Sequence, residues 1–259
     1  MPHLAHNGCN LYYEVNGKTG PALVFAHGRG GCAASWWQQV PEFRADHRVI
    51  AIDHRGFARS ACPDGKHLDQ FTDDMRALLD HLEIDRAVIV GQSMGGRTAL
   101  GMAVHHPERV AGIVLSCTAG GLLIPEVEAT QQARQSIPRG IEAPTAALAP
   151  HYRDSQPAMT FLYEQLRAMS PPQGPLFRES LAALDGGVTP ADLAGYAIPT
   201  LVLSGEHDPL YPPDVLEAVT AAIPGATLTH IPGAGHSPYW EMAETFNRII
   251  RGFLSGIGQ

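Results

Sequence analysis

Ala87-Val-Ile-Val-Gly91-Gln92-Ser93-Met94-Gly95-Gly96 is the stretch whose reading decides the fold. Its first half is an uninterrupted apolar run of strand length, and its second half opens a helix-length segment from Met94 to His106. Gly91 and Gly95 flank Ser93 in a G-x-S-x-G pattern. A chain that passes from strand to helix in so few residues holds the apical residue in a strained backbone conformation. Side chains at the flanking glycines would collide across the turn. A serine at that apex presents its hydroxyl outward, and the helix amino terminus adds positive potential beside it. An ordinary glycine-rich strand–helix turn has the same composition, but the strand before and the helix after favour the strained elbow.

Working outward, short Val/Ile/Leu runs recur at Ala22–His27, Arg48–Asp53, Val110–Leu115, Thr200–Ser204 and Ala226–Ile231. Several lack polar alternation, as strands covered by helices on both faces do. Helix-length segments lie between them, Leu68 to Leu82 for example, so the alternation predicts an α/β fold with a doubly wound, mostly parallel sheet. Leu11-Tyr-Tyr-Glu-Val15 alternates and predicts an antiparallel hairpin at the sheet edge. The rhythm breaks between Ala119 and Ile198, where nine of the 21 prolines fall. Met159, Leu162, Tyr163, Leu166 and Met169 recur there at helical spacing. The expected organisation is a core domain of residues 1–119 and 197–259, with residues 120–196 forming a helical cap over the carboxyl ends of the strands. The apolar stripe serves simple packing, a pocket roof, or both.

A serine hydroxyl is a poor nucleophile until a base takes its proton. His236, in Gly233-Ala-Gly-His236-Ser-Pro, follows the final strand, and Asp208, in Gly-Glu-His-Asp208-Pro, follows the strand before it. The chain order Ser93, Asp208, His236 gives a nucleophile, a carboxylate that orients the imidazole, and a base. Glu206 is the rival to Asp208. Among the 13 histidines, His27 is expected to shape its own loop, and His105 and His106 to close the elbow helix. Two donors are needed for a developing oxyanion. The backbone amides of Met94 and of Arg29, in His27-Gly-Arg-Gly-Gly31, are the candidates. Trp36, Trp37, Tyr239 and Trp240 flank these loops as pocket walls or as packing, and no substrate contact is assigned. The same glycine loop supports another class: Gly28-x-Gly30-x-x-Ala33 with Asp53 twenty residues on resembles a dinucleotide fingerprint. That reading leaves the serine, aspartate and histidine unexplained. No metal-ligand motif occurs, so no cofactor and no metal is expected.

A net charge of −8 and only two lysines, Lys18 and Lys66, argue against nucleic acid, whose phosphates need a basic face. No run reaches the ~18 apolar residues of a membrane span. Cys9, Cys32, Cys62 and Cys117 form no CxxC and read as four reduced thiols of a cytoplasmic protein. The partner expected is a small molecule; the oligomeric state is open.

With these residues placed, nearly the whole chain resembles the α/β-hydrolase superfamily, which implies a sheet of about eight strands. Asp53-His-Arg-Gly-Phe-Ala-Arg-Ser60 is similar to the family's D-x-R-G-x-G-x-S turn, with Ala58 at its second glycine; Pro107-Glu-Arg-Val110, Glu241 and Phe246 fit as well. The resemblance implies a serine hydrolase of small carboxylic esters or lactones working through an acyl-enzyme. Carbon–carbon hydrolysis of a dienone, perhydrolase chemistry and a non-catalytic receptor on the same scaffold are the alternatives. A serine at 93 disfavours the branches with an aspartate nucleophile.

Overall fold

The computed structural model describes residues 2–62, 68–135, 146–171 and 187–259. Its strands are β1 (His3–His6), β2 (Cys9–Asn16), β3 (Ala22–Ala26), β4 (Arg48–Ile52), β5 (Ala87–Gln92), β6 (Val110–Ser116), β7 (Thr200–Gly205) and β8 (Thr227–Ile231). They form one eight-stranded sheet in the order β1-β2-β4-β3-β5-β6-β7-β8. The β1–β2 hairpin is antiparallel and β2 joins β4 antiparallel, while β4 through β8 pair in parallel.

The apolar runs lack alternation because both faces are covered. Val24, Ile50, Ile89 and Ile113 point to one side, where they meet Met75 and Leu79 of helix Phe71–His81, Leu100 of helix Gly96–His105 and Leu216 of helix Pro213–Ala222. Leu23, Phe25, Val49, Val88, Val90 and Val114 point to the other, against Trp36, Phe43 and the Phe246, Ile250 and Leu254 face of helix Ala243–Gly256. Successive strand residues face opposite sides, so each needs an apolar partner. Removing a ring such as Phe25 from this packing would cost about 3–5 kcal/mol.

Between β6 and β7 the chain forms helices Pro125–Gln135, Pro150–Ser155 and Pro157–Ala168. Each begins with its proline, where the missing N–H is one that no intrahelical carbonyl would have accepted. The ends of this segment merge with the core: Leu122, Ile124, Val127, Val188 and Leu193 join the buried cluster on one sheet face, and Leu122 bridges to Val188. In helix Pro157–Ala168 the expected stripe divides. Met159, Tyr163 and Leu166 pack inward, whereas Leu162 and Met169 are exposed beside Phe161.

The cysteine expectation is corrected here. Cys9 and Cys62 form a disulfide, leaving Cys32 and Cys117 as buried free thiols. The pair meets because the turn after Ser60 returns to β2, with Asn10 bridged to Ala61. Four reduced thiols therefore no longer argue for the cytoplasm. Among the described residues, no helix is long and apolar enough to cross a membrane.

Candidate active site

The elbow forms as its sequence dictates. Ser93 follows β5 at φ 50°, in the left-handed region, and begins a 3-10 turn that runs into helix Gly96–His105. A Cβ on Gly91 would lie 2.4 Å from the Gly95 carbonyl, the expected clash across the turn. Gly95 is required for a different reason, because its Cβ would lie 2.1 Å from the carbonyl of Ala26 in the neighbouring strand.

Parallel register brings the other loops to the same sheet end. Leu203 of β7 pairs with Ser116 of β6, which pairs with Gln92 of β5, so the loops after these strands open side by side. There His236 Nδ1 lies 2.9 and 3.0 Å from the two carboxylate oxygens of Asp208, and its Nε2 lies 2.8 Å from Ser93 Oγ. With Nδ1–H donating to the carboxylate, Nε2 is left to accept the serine proton. Asp208 and His236 are buried, whereas Ser93 keeps partial access to solvent. The backbone amides of Leu210 and Tyr211 donate to Asp208 Oδ1 at 2.7 and 3.0 Å, fixing the carboxylate in its own turn. Glu206 faces elsewhere, accepting from the Gly233 amide at 2.8 Å. The two loops are thereby tied together without Glu206 reaching the imidazole.

Further groups hold the histidine loop. The side-chain amide of Gln92 donates to the His236 carbonyl at 2.9 Å, and the His236 amide donates to the Ala147 carbonyl at 2.8 Å. Glu241 accepts from the amides of Ala149, Gly235 and Ser237 at 2.7, 3.1 and 3.0 Å. Burial pushes the Glu241 carboxyl up, and those three donors oppose the shift. Cys117, in the turn after β6, places its thiol beside Asp208 and 3.8 Å from the Gly235 carbonyl. Burial and the neighbouring Asp208 charge push that thiol well up. Cys117, Asp208 and His236 offer three potential cation ligands within 4.8 Å of one another, but the imidazole and the carboxylate are already bonded to each other.

Arg29 and Met94 flank the serine from two strands. Ala26 of β3 pairs with Gly91 of β5, so the chain leaving β3 runs beside Ser93, and a Cβ on Gly28 would lie 3.0 Å from Ser93 Cβ. Met94 buries its side chain among Phe57, Leu68 and Phe71, and its amide lies in the first turn, where helical geometry supplies no acceptor. The Arg29 side chain is exposed, and its carbonyl accepts a hydrogen bond from Arg167 Nη1 at 3.2 Å. His27 shapes this loop as expected. Its ring nitrogens bond the Gly28 carbonyl at 2.8 Å and the His54 amide at 2.9 Å, and burial depresses its pKa. Asp53, the acidic residue of the dinucleotide reading, is occupied within the fold: it accepts from the Ala33 amide at 2.6 Å and pairs with Arg59 Nε at 2.9 Å.

Of the aromatic candidates, Trp36 and Trp240 are packing residues with no exposure to speak of, Trp37 is exposed, and Tyr239 lines a narrow cavity whose wall includes Gln92, the residue before Ser93. Gly28, Arg29, Gln92, Tyr163, Leu166 and Arg167 also line this cavity. Its roof is thus helix Pro157–Ala168, and the Tyr163 hydroxyl lies 3.0 Å from Ser237 Oγ, next to His236. Arg167 escaped the sequence reading because only the apolar stripe, not its charged neighbour, carried a signal.

A family model for the alpha/beta hydrolase fold matches residues 21–143 and 152–243. The chain is 30% identical to 3-oxoadipate enol-lactonase 2 of Acinetobacter baylyi, covering 94% of this chain and 92% of that protein. An esterase of Thermogutta terrifontis superposes with a TM-score of 0.82 at 28% identity, covering 97% of this chain and 95% of the other. The enol-lactonase of Burkholderia xenovorans does so with a TM-score of 0.82 at 26% identity, covering 98% and 100%. With this sheet order, this elbow and a match that spans most of its length, the chain belongs to the α/β-hydrolase family.

Proposed function

We propose that the protein is a serine hydrolase that cleaves a small carboxylic ester or lactone through an acyl-enzyme on Ser93. The observation that carries this reading is the unbroken hydrogen-bond chain from Asp208 through His236 to a serine held at positive φ. His236 Nε2 takes the Ser93 proton as Oγ bonds to the substrate carbonyl carbon. The imidazolium, stabilised by Asp208, then returns that proton to the departing alkoxide as the carbon–oxygen bond breaks. Water, deprotonated by the same imidazole, attacks the acyl-enzyme, and the acid leaves as Ser93 regains its proton. The amides of Met94 and Arg29 act on the oxyanion in both halves, each worth on the order of 10²–10³ in rate. Within residues 120–196, the described helices Pro125–Gln135, Pro150–Ser155 and Pro157–Ala168 act as the cap that sets which substrates fit; the rest of that range lies partly outside the described residues. The enol-lactonase and esterase relatives support an oxygen ester as the scissile bond.

Turnover of p-nitrophenyl acetate and butyrate by wild type and Ser93→Ala tests the reading. The variant is expected to lose at least about 10⁴-fold in kcat while keeping its melting temperature within a few degrees. Undiminished turnover by a folded Ser93→Ala protein would remove Ser93 from this role.

A further inference from the structure

Building on the serine-hydrolase reading, we propose that Arg167 selects esters or lactones carrying a second, ionised carboxylate. Among the described residues that line the cavity, the two charged ones are arginines, Arg29 and Arg167. Buried Arg55 and half-buried Arg59 face the carboxylates of Asp74 and Asp53. Arg167 does not: among the described residues no carboxylate lies within ion-pair distance of it. Among the described residues its guanidinium donates one hydrogen bond, to the Arg29 carbonyl at 3.2 Å, and its Cζ stands 5.7 Å from the Tyr163 ring centroid. A guanidinium carries five N–H donors in a planar fork that matches a carboxylate, and among the described residues only one acceptor engages it.

The position is built rather than incidental. Gly30, at φ 85°, lies beneath Arg167, and a Cβ there would come within 3.0 Å of Cζ. Tyr163, one helical turn before Arg167, is tied to Ser237 and so fixes the helix over the histidine loop. The arginine is therefore held above the loop assigned to the oxyanion donors. The chain as a whole carries a net charge of −8, which repels an anionic substrate at long range. A local cation above the glycine loop offsets that repulsion for a substrate approaching Ser93. A half-ester of a short dicarboxylic acid has the required chemistry.

Mono-p-nitrophenyl glutarate and its methyl-capped diester, which differ by one charge, provide the test. Wild type is expected to favour the free carboxylate at least about tenfold in kcat/KM at low salt, mainly through KM. Added sodium chloride should shrink that preference. Arg167→Met should bring the ratio to about two or less, and Arg167→Lys should retain part of it, as a point charge without the fork does. Melting temperature and active-serine labelling establish that each variant is folded; if Arg167→Met is not, the lysine variant and the salt series decide. A wild-type ratio at or below one, or a ratio that neither substitution moves, overturns the proposal. Persistent turnover of both esters by Ser93→Ala would instead defeat the underlying serine mechanism, which is a separate result.

Discussion

Two neighbouring turns of this sheet share a backbone conformation and differ in everything else. Ser93 after β5 and Cys117 after β6 are both non-glycine residues at φ 50°. The serine keeps access to solvent, meets the imidazole at 2.8 Å and lies beside the glycine loop after β3. The cysteine is fully buried behind Asp208, and its thiol is held protonated by burial. Thiols are ordinarily the better nucleophiles, yet on the proposed reading the hydroxyl, which alone of the two meets the imidazole, is the one that reacts. A left-handed apex aims a side chain; a base, an opening and oxyanion donors make it reactive.

The largest effect should come from the carboxylate that stands between the two turns. Asp208→Asn is expected to lower kcat by about 10⁴-fold with little change in fold, because the amide stabilises the wrong imidazole tautomer and no imidazolium. The same assay on Glu206→Gln should show less than about a threefold change, since Glu206 bonds the Gly233 amide instead. If the two variants exchange places, the roles assigned to the loop after β7 are wrong. Next, Cys117→Ala should cost less than about tenfold in kcat, the size of a packing and positioning effect on Asp208 rather than of a lost reactant. A loss approaching that of Ser93→Ala would give the second turn a direct part in the reaction.

Smaller effects concern the buried groups behind the elbow. His54 is stacked on Phe71 at 4.3 Å, and burial, helped by His27, depresses its pKa well below the usual histidine value. The unfolded chain therefore binds a proton near pH 6.5 that the folded chain refuses. Stability from this group is level above that pH and falls as pH drops below it, by up to about 1.4 kcal/mol per pH unit. His54→Phe should flatten the decline of unfolding free energy between pH 6.5 and 5, read by urea titration at several pH values; an unchanged slope would contradict the assignment. The smallest effect is at a third positive-φ turn. Ala58, at φ 42°, stands where the resembling motif has glycine. Ala58→Gly is expected to stabilise the fold by less than about 1 kcal/mol, relief of left-handed strain outweighing the freedom glycine adds to the unfolded chain. Thermal melts would register this as a rise, and a fall would show that the strain is already relieved.

These turns also explain what was legible in the sequence. Strands buried on both faces leave continuous apolar runs, and a tight elbow demands glycines at fixed offsets, so the sheet and Ser93 stand out from local pattern, while Asp208 and His236 are read from their places after later strands in the chain order, with Glu206 a rival to the aspartate. Other features depend on which surfaces meet. Cys9 and Cys62 are joined across 53 residues, with nothing in their spacing to announce it. Helix Pro157–Ala168 has apolar residues on two sides, and only packing tells Tyr163 and Leu166, which face the site, from Phe161 and Leu162, which face out. Glu241 fits a family pattern in sequence, but its work of holding three amides around the histidine loop appears only in three dimensions.

The most direct test of the central claim is reaction with a fluorophosphonate, followed by peptide mass spectrometry. An activated serine at position 93 predicts one label per chain, carried on Ser93, with labelling abolished in Ser93→Ala and slowed at least a hundredfold or so in His236→Ala. An inert protein, or a label carried on another residue, would contradict the account.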